Sequence, residues 1–144
     1  MAFYPVEFSC GHTHDISFSG TDDERNSAIK YYKQFKKCFK CDKEERNKNY
    51  NERVEKAVQE NCLLISLEGS EKQIAWAEVV RADKIREIDE LYSGKILSDK
   101  GQKLLDDTIK LLEREDDAVF WIDIRDDLPK IILRMVAEDN NLFD

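Results

Sequence analysis

The chain has 144 residues, of which 41% are hydrophobic and 38% are charged, and its net charge is −8. That length suits one domain, or one domain with a small lobe, and the charge content predicts a thin core beneath solvated helices. We find no apolar run long enough to span a membrane and no signal peptide, so we expect a cytosolic protein. In a cytosol, paired cysteines are more often metal ligands than disulfides.

Residues 1–60 are predicted to form a zinc-binding hairpin followed by helices. Residues 3–9 alternate in polarity as a short strand does, the stretch DISFS predicts a second strand, and CGHTH between them has the length of a turn. Thr21 and Glu24 have the spacing of a capping box, which predicts that a helix begins there. The sequence Cys-Phe-Lys-Cys then interrupts that helix, and a second, highly charged helix is expected from about residue 42 to residue 60.

A metal site is predicted from the spacing of cysteine and histidine in this region. The pattern is Cys-Gly-His-Thr-His from residue 10 and Cys-Phe-Lys-Cys from residue 38. Two thiolates separated by two residues fit one zinc ion on a knuckle turn, and a second pair on a hairpin completes a tetrahedron. We prefer His12 because it shares a turn with Cys10, whereas His14 is expected to begin the outgoing strand. The predicted ligands are Cys10, His12, Cys38 and Cys41, with His14 as the alternative to His12.

The zinc is expected to be structural, and the protein is not expected to be an enzyme. Catalytic zinc sites keep an open position, whereas four protein ligands, three of them thiolates, are typical of a closed structural site. We predict no catalytic residue. The remaining cysteine, Cys62, lies in the apolar run CLLISL and is predicted to be a buried small hydrophobe.

Residues 61–144 are predicted to form an acidic, mostly helical domain. Ser70 and Gln73 form a second capping box, opening a helix to about residue 91, and Ser98 caps a further helix to about residue 114. The run AVFWIDI is an aromatic-rich core segment that could be helix or strand, and Pro129 begins a last helix. The fold class is therefore α+β: an N-terminal zinc-stapled β-hairpin followed by a mostly α-helical body.

Charge is spread unevenly along the chain. Residues 25–56 carry eleven Lys/Arg against five Asp/Glu, whereas residues 57–144 carry twelve against twenty-one. The acidic part suits either a basic partner or solubility alone. In the basic part, aromatic residues interleave with lysines as in nucleic-acid-binding segments, but they also share the helical spacing of a core stripe. Those aromatic residues are Tyr31, Tyr32, Phe35 and Phe39.

Two stretches resemble motifs of small, mostly uncharacterised zinc-head proteins from phages and mobile elements of Gram-positive bacteria. They are GSEKQIAWAE followed by Val80-Arg81, and FWIDIR from residue 120. The Cys-Gly-His and Cys-x-x-Cys head completes the resemblance, which implies membership of a family and no particular activity. We interpret Trp76 and Trp121 as core anchors, and Arg81 and Arg125 as partners of nearby carboxylates.

Size, acidity and the zinc head also make the chain similar to the zinc-bearing anti-CRISPR proteins of streptococcal phages that inhibit type II-A nucleases. This resemblance implies a non-enzymatic inhibitor in the bacterial host cytosol whose protein partner is a type II CRISPR nuclease. Such nucleases hold their heteroduplex in a positively charged channel, where the carboxylates of residues 57–144 would dock. No individual partner-binding residue is identified, and direct nucleic-acid binding is not expected.

The alternative is a zinc-ribbon module of a mobile element. Such a module would bind nucleic acid or a host protein through the basic segment of residues 25–56.

Overall fold

The computed structural model describes residues 2–143, and within them an antiparallel hairpin is followed by six helices. This arrangement confirms the predicted fold class. No helix among these residues is both long enough and apolar enough to cross a membrane. The elements are β1 Phe3–Glu7, β2 Thr13–Ser17, α1 Asp22–Phe35, α2 Phe39–Glu60, α3 Glu71–Tyr92, α4 Asp99–Glu113, α5 Ala118–Asp123 and α6 Pro129–Asp139.

The chain divides into two compact units, which we call unit 1, Met1–Asn51, and unit 2, Glu52–Asp144. The division lies within α2, whereas the sequence placed the domain boundary at residue 60. Each unit has a hydrophobic cluster of its own.

The core of unit 1 is small. Val6, Phe8 and Cys38 are its buried members, and the ring of Tyr32 on α1 stacks on Phe8 with centroids 5.6 Å apart. The predicted capping box is present, since the Thr21 hydroxyl accepts a hydrogen bond from the third helical amide and so fixes the start of α1. The hairpin and α1 therefore enclose a few aromatic and aliphatic side chains directly beside the cysteines.

The core of unit 2 is larger and is built around Trp121 of α5. This side chain is fully buried, and its indole N–H donates to the Glu115 carbonyl at 3.1 Å. Helix α3 packs against α5 and α6, and α4 packs against α6. The run AVFWIDI, which the sequence left undecided, forms α5, and the capping box at Ser70 starts α3 as predicted.

Trp76 and Cys62 do not occupy the buried positions that the sequence predicted. Trp76 is 42% exposed, and the Arg125 guanidinium lies over its ring, 5.2 Å from the centroid. Cys62 is exposed because the chain turns directly after α2: its amide donates to the Gln59 carbonyl, and the run that follows pairs with no strand. Leu67 is the residue of that run that reaches the core.

Candidate metal centre

The hairpin turn places Cys10 and His12 side by side. The Phe8 amide donates to the His12 carbonyl at 2.9 Å, and the Gly11 amide donates to the Phe8 carbonyl at 2.9 Å. Gly11 has φ of +86°, a left-handed conformation that strains any residue with a Cβ. The Cys-Gly-His order therefore matches the backbone that this turn requires.

The junction between α1 and α2 places the other two cysteines. Lys36 is extended and ends α1, and the Cys38 carbonyl accepts a hydrogen bond from the Asp42 amide at the start of α2. Cys41 lies in the first turn of α2, three residues after Cys38 and therefore on the same side of the helix.

These two segments bring together Cys10, His12, Cys38 and Cys41. Their ligand atoms all lie within 4.8 Å of one another. The His12 Nδ1 atom is 3.4, 3.6 and 3.2 Å from the sulfurs of Cys10, Cys38 and Cys41, respectively. A tetrahedral zinc ion with ordinary Zn–S and Zn–N bonds holds nitrogen and sulfur about 3.5 Å apart. The three nitrogen–sulfur distances of the cluster therefore match those of a four-coordinate site.

His14, the alternative ligand, lies elsewhere on the hairpin. It belongs to β2, where it pairs with Val6 of β1, and its ring makes an edge contact with Phe8 at 5.9 Å. His14 lies within β2, whereas His12 precedes that strand in the turn that also holds Cys10, and the group of close ligand atoms does not include His14. His12 is the histidine of the cluster.

Two thiols of the cluster, those of Cys10 and Cys41, differ in acidity. The pKa of Cys10 is lowered to about 6, chiefly because the Cys38 amide donates a hydrogen bond to its sulfur at 3.4 Å, with help from the His12 amide. The pKa of Cys41 is raised to about 11, chiefly by its hydrogen bond with the Cys38 thiol and then by burial. Three crowded thiols cannot all ionise easily without a cation, and a bound metal ion supplies that charge.

A polar network in unit 2 contains the carboxylate partner predicted for Arg81, whereas its burial and the part played by Asn61 were not predicted. The Arg81 guanidinium, 1% exposed, holds the Glu78 carboxylate at 2.8 and 2.9 Å and also donates to the Ile65 carbonyl at 2.7 Å. The Asn61 amide adds a hydrogen bond of 2.8 Å to the same carboxylate. The available signal for the pair was the Glu-x-x-Arg spacing on α3. We interpret this network as part of the core.

The chain matches no protein-family model, no curated protein and no solved structure. The chemistry of the cysteine–histidine cluster therefore rests on its own residues and distances.

Proposed function

We propose that Cys10, His12, Cys38 and Cys41 bind one zinc ion that stabilises unit 1 and takes part in no chemical step. The observation that carries this proposal is the close four-atom set, with nitrogen–sulfur distances of 3.2–3.6 Å. Thiolate sulfur and imidazole nitrogen are ligands that zinc prefers in tetrahedral sites. Four side chains fill all four positions, so no position is left for a water molecule or a substrate.

Metal analysis of the purified protein tests the identity of the ion. Protein expressed without added metal should contain about one zinc per chain by elemental analysis. Folded protein that contains iron instead, or no metal, would contradict the proposal.

Cobalt substitution tests whether the site is closed. The cobalt form should give an absorption spectrum of a four-coordinate thiolate site, and added azide should leave that spectrum unchanged. A spectrum that shifts with azide would reveal an exchangeable position and would reopen a catalytic role.

The protein itself acts, in this proposal, as a non-enzymatic inhibitor that binds a type II CRISPR nuclease through the acidic surface of unit 2. Two observations support it. Residues 52–144 carry fourteen Lys/Arg against twenty-three Asp/Glu, a net charge of −9. The chain also resembles zinc-bearing anti-CRISPR proteins in size, acidity and the Cys-Gly-His and Cys-x-x-Cys head. An acidic surface of this kind competes with DNA for a positively charged channel.

A pull-down combined with a DNA-cleavage assay tests this partner. The zinc-loaded protein should bind the nuclease at near-physiological salt and slow cleavage. Replacing Glu90, an exposed carboxylate of α3, by lysine should weaken inhibition because it adds like charge to the contact surface. The matched control is Glu44→Lys, at an exposed position of unit 1.

The outcomes separate cleanly. A wild-type protein that fails to bind the nuclease at near-physiological salt would sink the inhibitor proposal and leave the zinc proposal untouched. Equal effects of the unit 1 and unit 2 substitutions would show that general charge repulsion, and not the surface of unit 2, governs inhibition.

A further inference from the structure

A stretch of unit 1 beside the metal centre combines positive charge with aromatic side chains. From Arg25 to Cys41 the chain contains six Lys/Arg and no Asp/Glu. The stretch runs from α1 through the junction into the first turn of α2. We define its aromatic–basic surface by the exposed aromatic residues and by the lysines that have no carboxylate partner; its members are Lys30, Tyr31, Phe35, Lys36, Phe39 and Lys40.

The aromatic members are exposed, contrary to what a core stripe would require. Tyr31 is 54% exposed, Phe35 72% and Phe39 76%. Tyr32 alone of the four aromatic residues packs into the core, against Phe8. The rings of Tyr31 and Phe35 are in contact, with centroids 5.6 Å apart. The helical spacing of these aromatic residues had suggested a core stripe, but three of the four rings are exposed. Exposed rings that lie close together mark an interaction surface.

The lysines of this surface keep their charge available. Lys33 pairs with Glu7 at 3.7 Å, and Lys37 pairs with Glu45. Within residues 2–143, by contrast, Lys30 and Lys40 make no ion pair, and the Lys36 ammonium lies 5.1 Å from the centroid of the Tyr32 ring. These three lysines thus remain free to neutralise an external anion.

An open hollow borders part of this surface, at Lys36 and Phe39. Its volume is about 320 Å³, and Tyr32, Lys36 and Phe39 are among the residues that line it. Asp42 is the acidic residue in its lining, and that carboxylate is paired with Arg46 at 3.2 Å. A flat ring and a cation therefore border one accessible space.

We propose that the aromatic–basic surface binds single-stranded nucleic acid. Unpaired bases would stack on Phe35 and Phe39, while the phosphates contact Lys30, Lys36 and Lys40. Stacking rings interleaved with cations are the recurring design of such surfaces, and stacking needs bases that are not already paired in a duplex. Lysine is depleted at protein–protein interfaces, so this composition favours a phosphate-bearing partner. The proposal is independent of nuclease inhibition by unit 2.

Fluorescence anisotropy with a labelled oligothymidylate of about 12 nucleotides tests the proposal at low salt. Phe35→Ala and Phe39→Ala should each weaken binding roughly 5- to 150-fold, the cost of one lost stacking contact. Three phosphate contacts predict that the logarithm of the binding constant falls with the logarithm of the salt concentration with a slope of about −2. Lys36→Ala should make that slope shallower by about 0.7.

Matched controls come from unit 2. Leu63 is 95% exposed, and the Lys95 ammonium lies 5.7 Å from the centroid of the Tyr92 ring, much as Lys36 lies over Tyr32. Leu63→Ala and Lys95→Ala should leave binding unchanged. Phe39→Leu keeps apolar bulk without a ring, so it should retain zinc and still lose affinity, which separates stacking from folding.

Three results would overturn the proposal. The first is that the oligonucleotide does not bind at low salt. The second is that a duplex of the same length binds as tightly as the single strand. The third is that the Phe35→Ala and Phe39→Leu proteins retain zinc and bind the oligonucleotide as tightly as the wild type.

Discussion

The hydrophobic clusters of the two units differ greatly in size. Among residues 2–143, the cluster of unit 1 has three buried residues, one of which is the proposed ligand Cys38, whereas the main cluster of unit 2 has eleven buried residues around Trp121. A small region with so little buried apolar surface generally needs a metal ion, a disulfide or a partner to stay folded. Packing thus supports unit 2, whereas the zinc ion that we propose would supply the support that packing does not give unit 1.

The units also differ in charge. Residues 1–51 carry nine Lys/Arg against eight Asp/Glu, with the carboxylates outside the stretch from Arg25 to Cys41, whereas residues 52–144 have a net charge of −9. Opposite local fields select different partners. The two surfaces we propose therefore belong to different units and can be tested separately.

Loss of the metal should have the largest effect of the changes that we predict, and the effect should be confined to unit 1. Cys38→Ser should abolish zinc binding and unfold unit 1, because the binding free energy of a structural zinc, about 10–16 kcal/mol in small domains, is largely folding free energy. Hydrogen exchange should show the amides of β1, β2 and α1 losing protection while those of α3 and α5 keep theirs. Chelation of zinc from the wild-type protein should give the same pattern.

Cys62→Ser is the matched control, since Cys62 is an exposed cysteine outside the cluster. This variant should retain zinc and protection in both units. Persistence of the hairpin in metal-free Cys38→Ser protein would contradict the structural role of the ion.

Trp121→Ala should produce the reciprocal effect. Removing this fully buried side chain should destabilise unit 2 by about 3–5 kcal/mol, because a large cavity replaces the centre of its core. Urea unfolding followed by circular dichroism measures the loss, and elemental analysis should still find zinc. Trp76→Ala, at a half-exposed position, should lower the free energy of unfolding far less. Similar costs for the two substitutions would argue against Trp121 as the centre of the core.

Arg81→Met should destabilise unit 2 by a somewhat smaller amount, about 3 kcal/mol. It leaves the buried Glu78 carboxylate without its cation, although Asn61 still donates to it at 2.8 Å. Adding Glu78→Gln should recover part of the loss, because no buried charge then remains. A double variant less stable than Arg81→Met alone would contradict this account, as measured by urea unfolding of the zinc-loaded proteins.

Features that depend on near neighbours in sequence could be predicted. The capping boxes at Thr21 and Ser70 need residues three apart, and both are present. The spacing of Cys38 and Cys41, together with a hairpin turn, was enough to indicate the metal cluster. Each of these patterns places its own atoms through local backbone geometry.

Features that depend on how elements pack could not be predicted. Trp76 and Phe35 have the spacing of core residues, but exposure depends on which face of a helix another element covers. The pairing of Arg81 with Glu78 was readable from spacing, whereas the contribution of Asn61 required a loop seventeen residues away in sequence. Sequence periodicity identifies a face without showing what lies against it.

Substitutions at the two helix caps should have the smallest effects, but they should affect the two units in different ways. Thr21 and Ser70 accept equivalent hydrogen bonds, each 3.2 Å from the amide three residues later. Replacing either residue by alanine should lower the free energy of unfolding by about 1 kcal/mol.

In unit 2, Ser70→Ala should lower the urea midpoint and leave zinc affinity unchanged. In unit 1, where folding and binding are coupled, Thr21→Ala should instead weaken apparent zinc affinity about fivefold in a competition titration. Equal effects of both caps on zinc affinity would show that the two units do not fold separately.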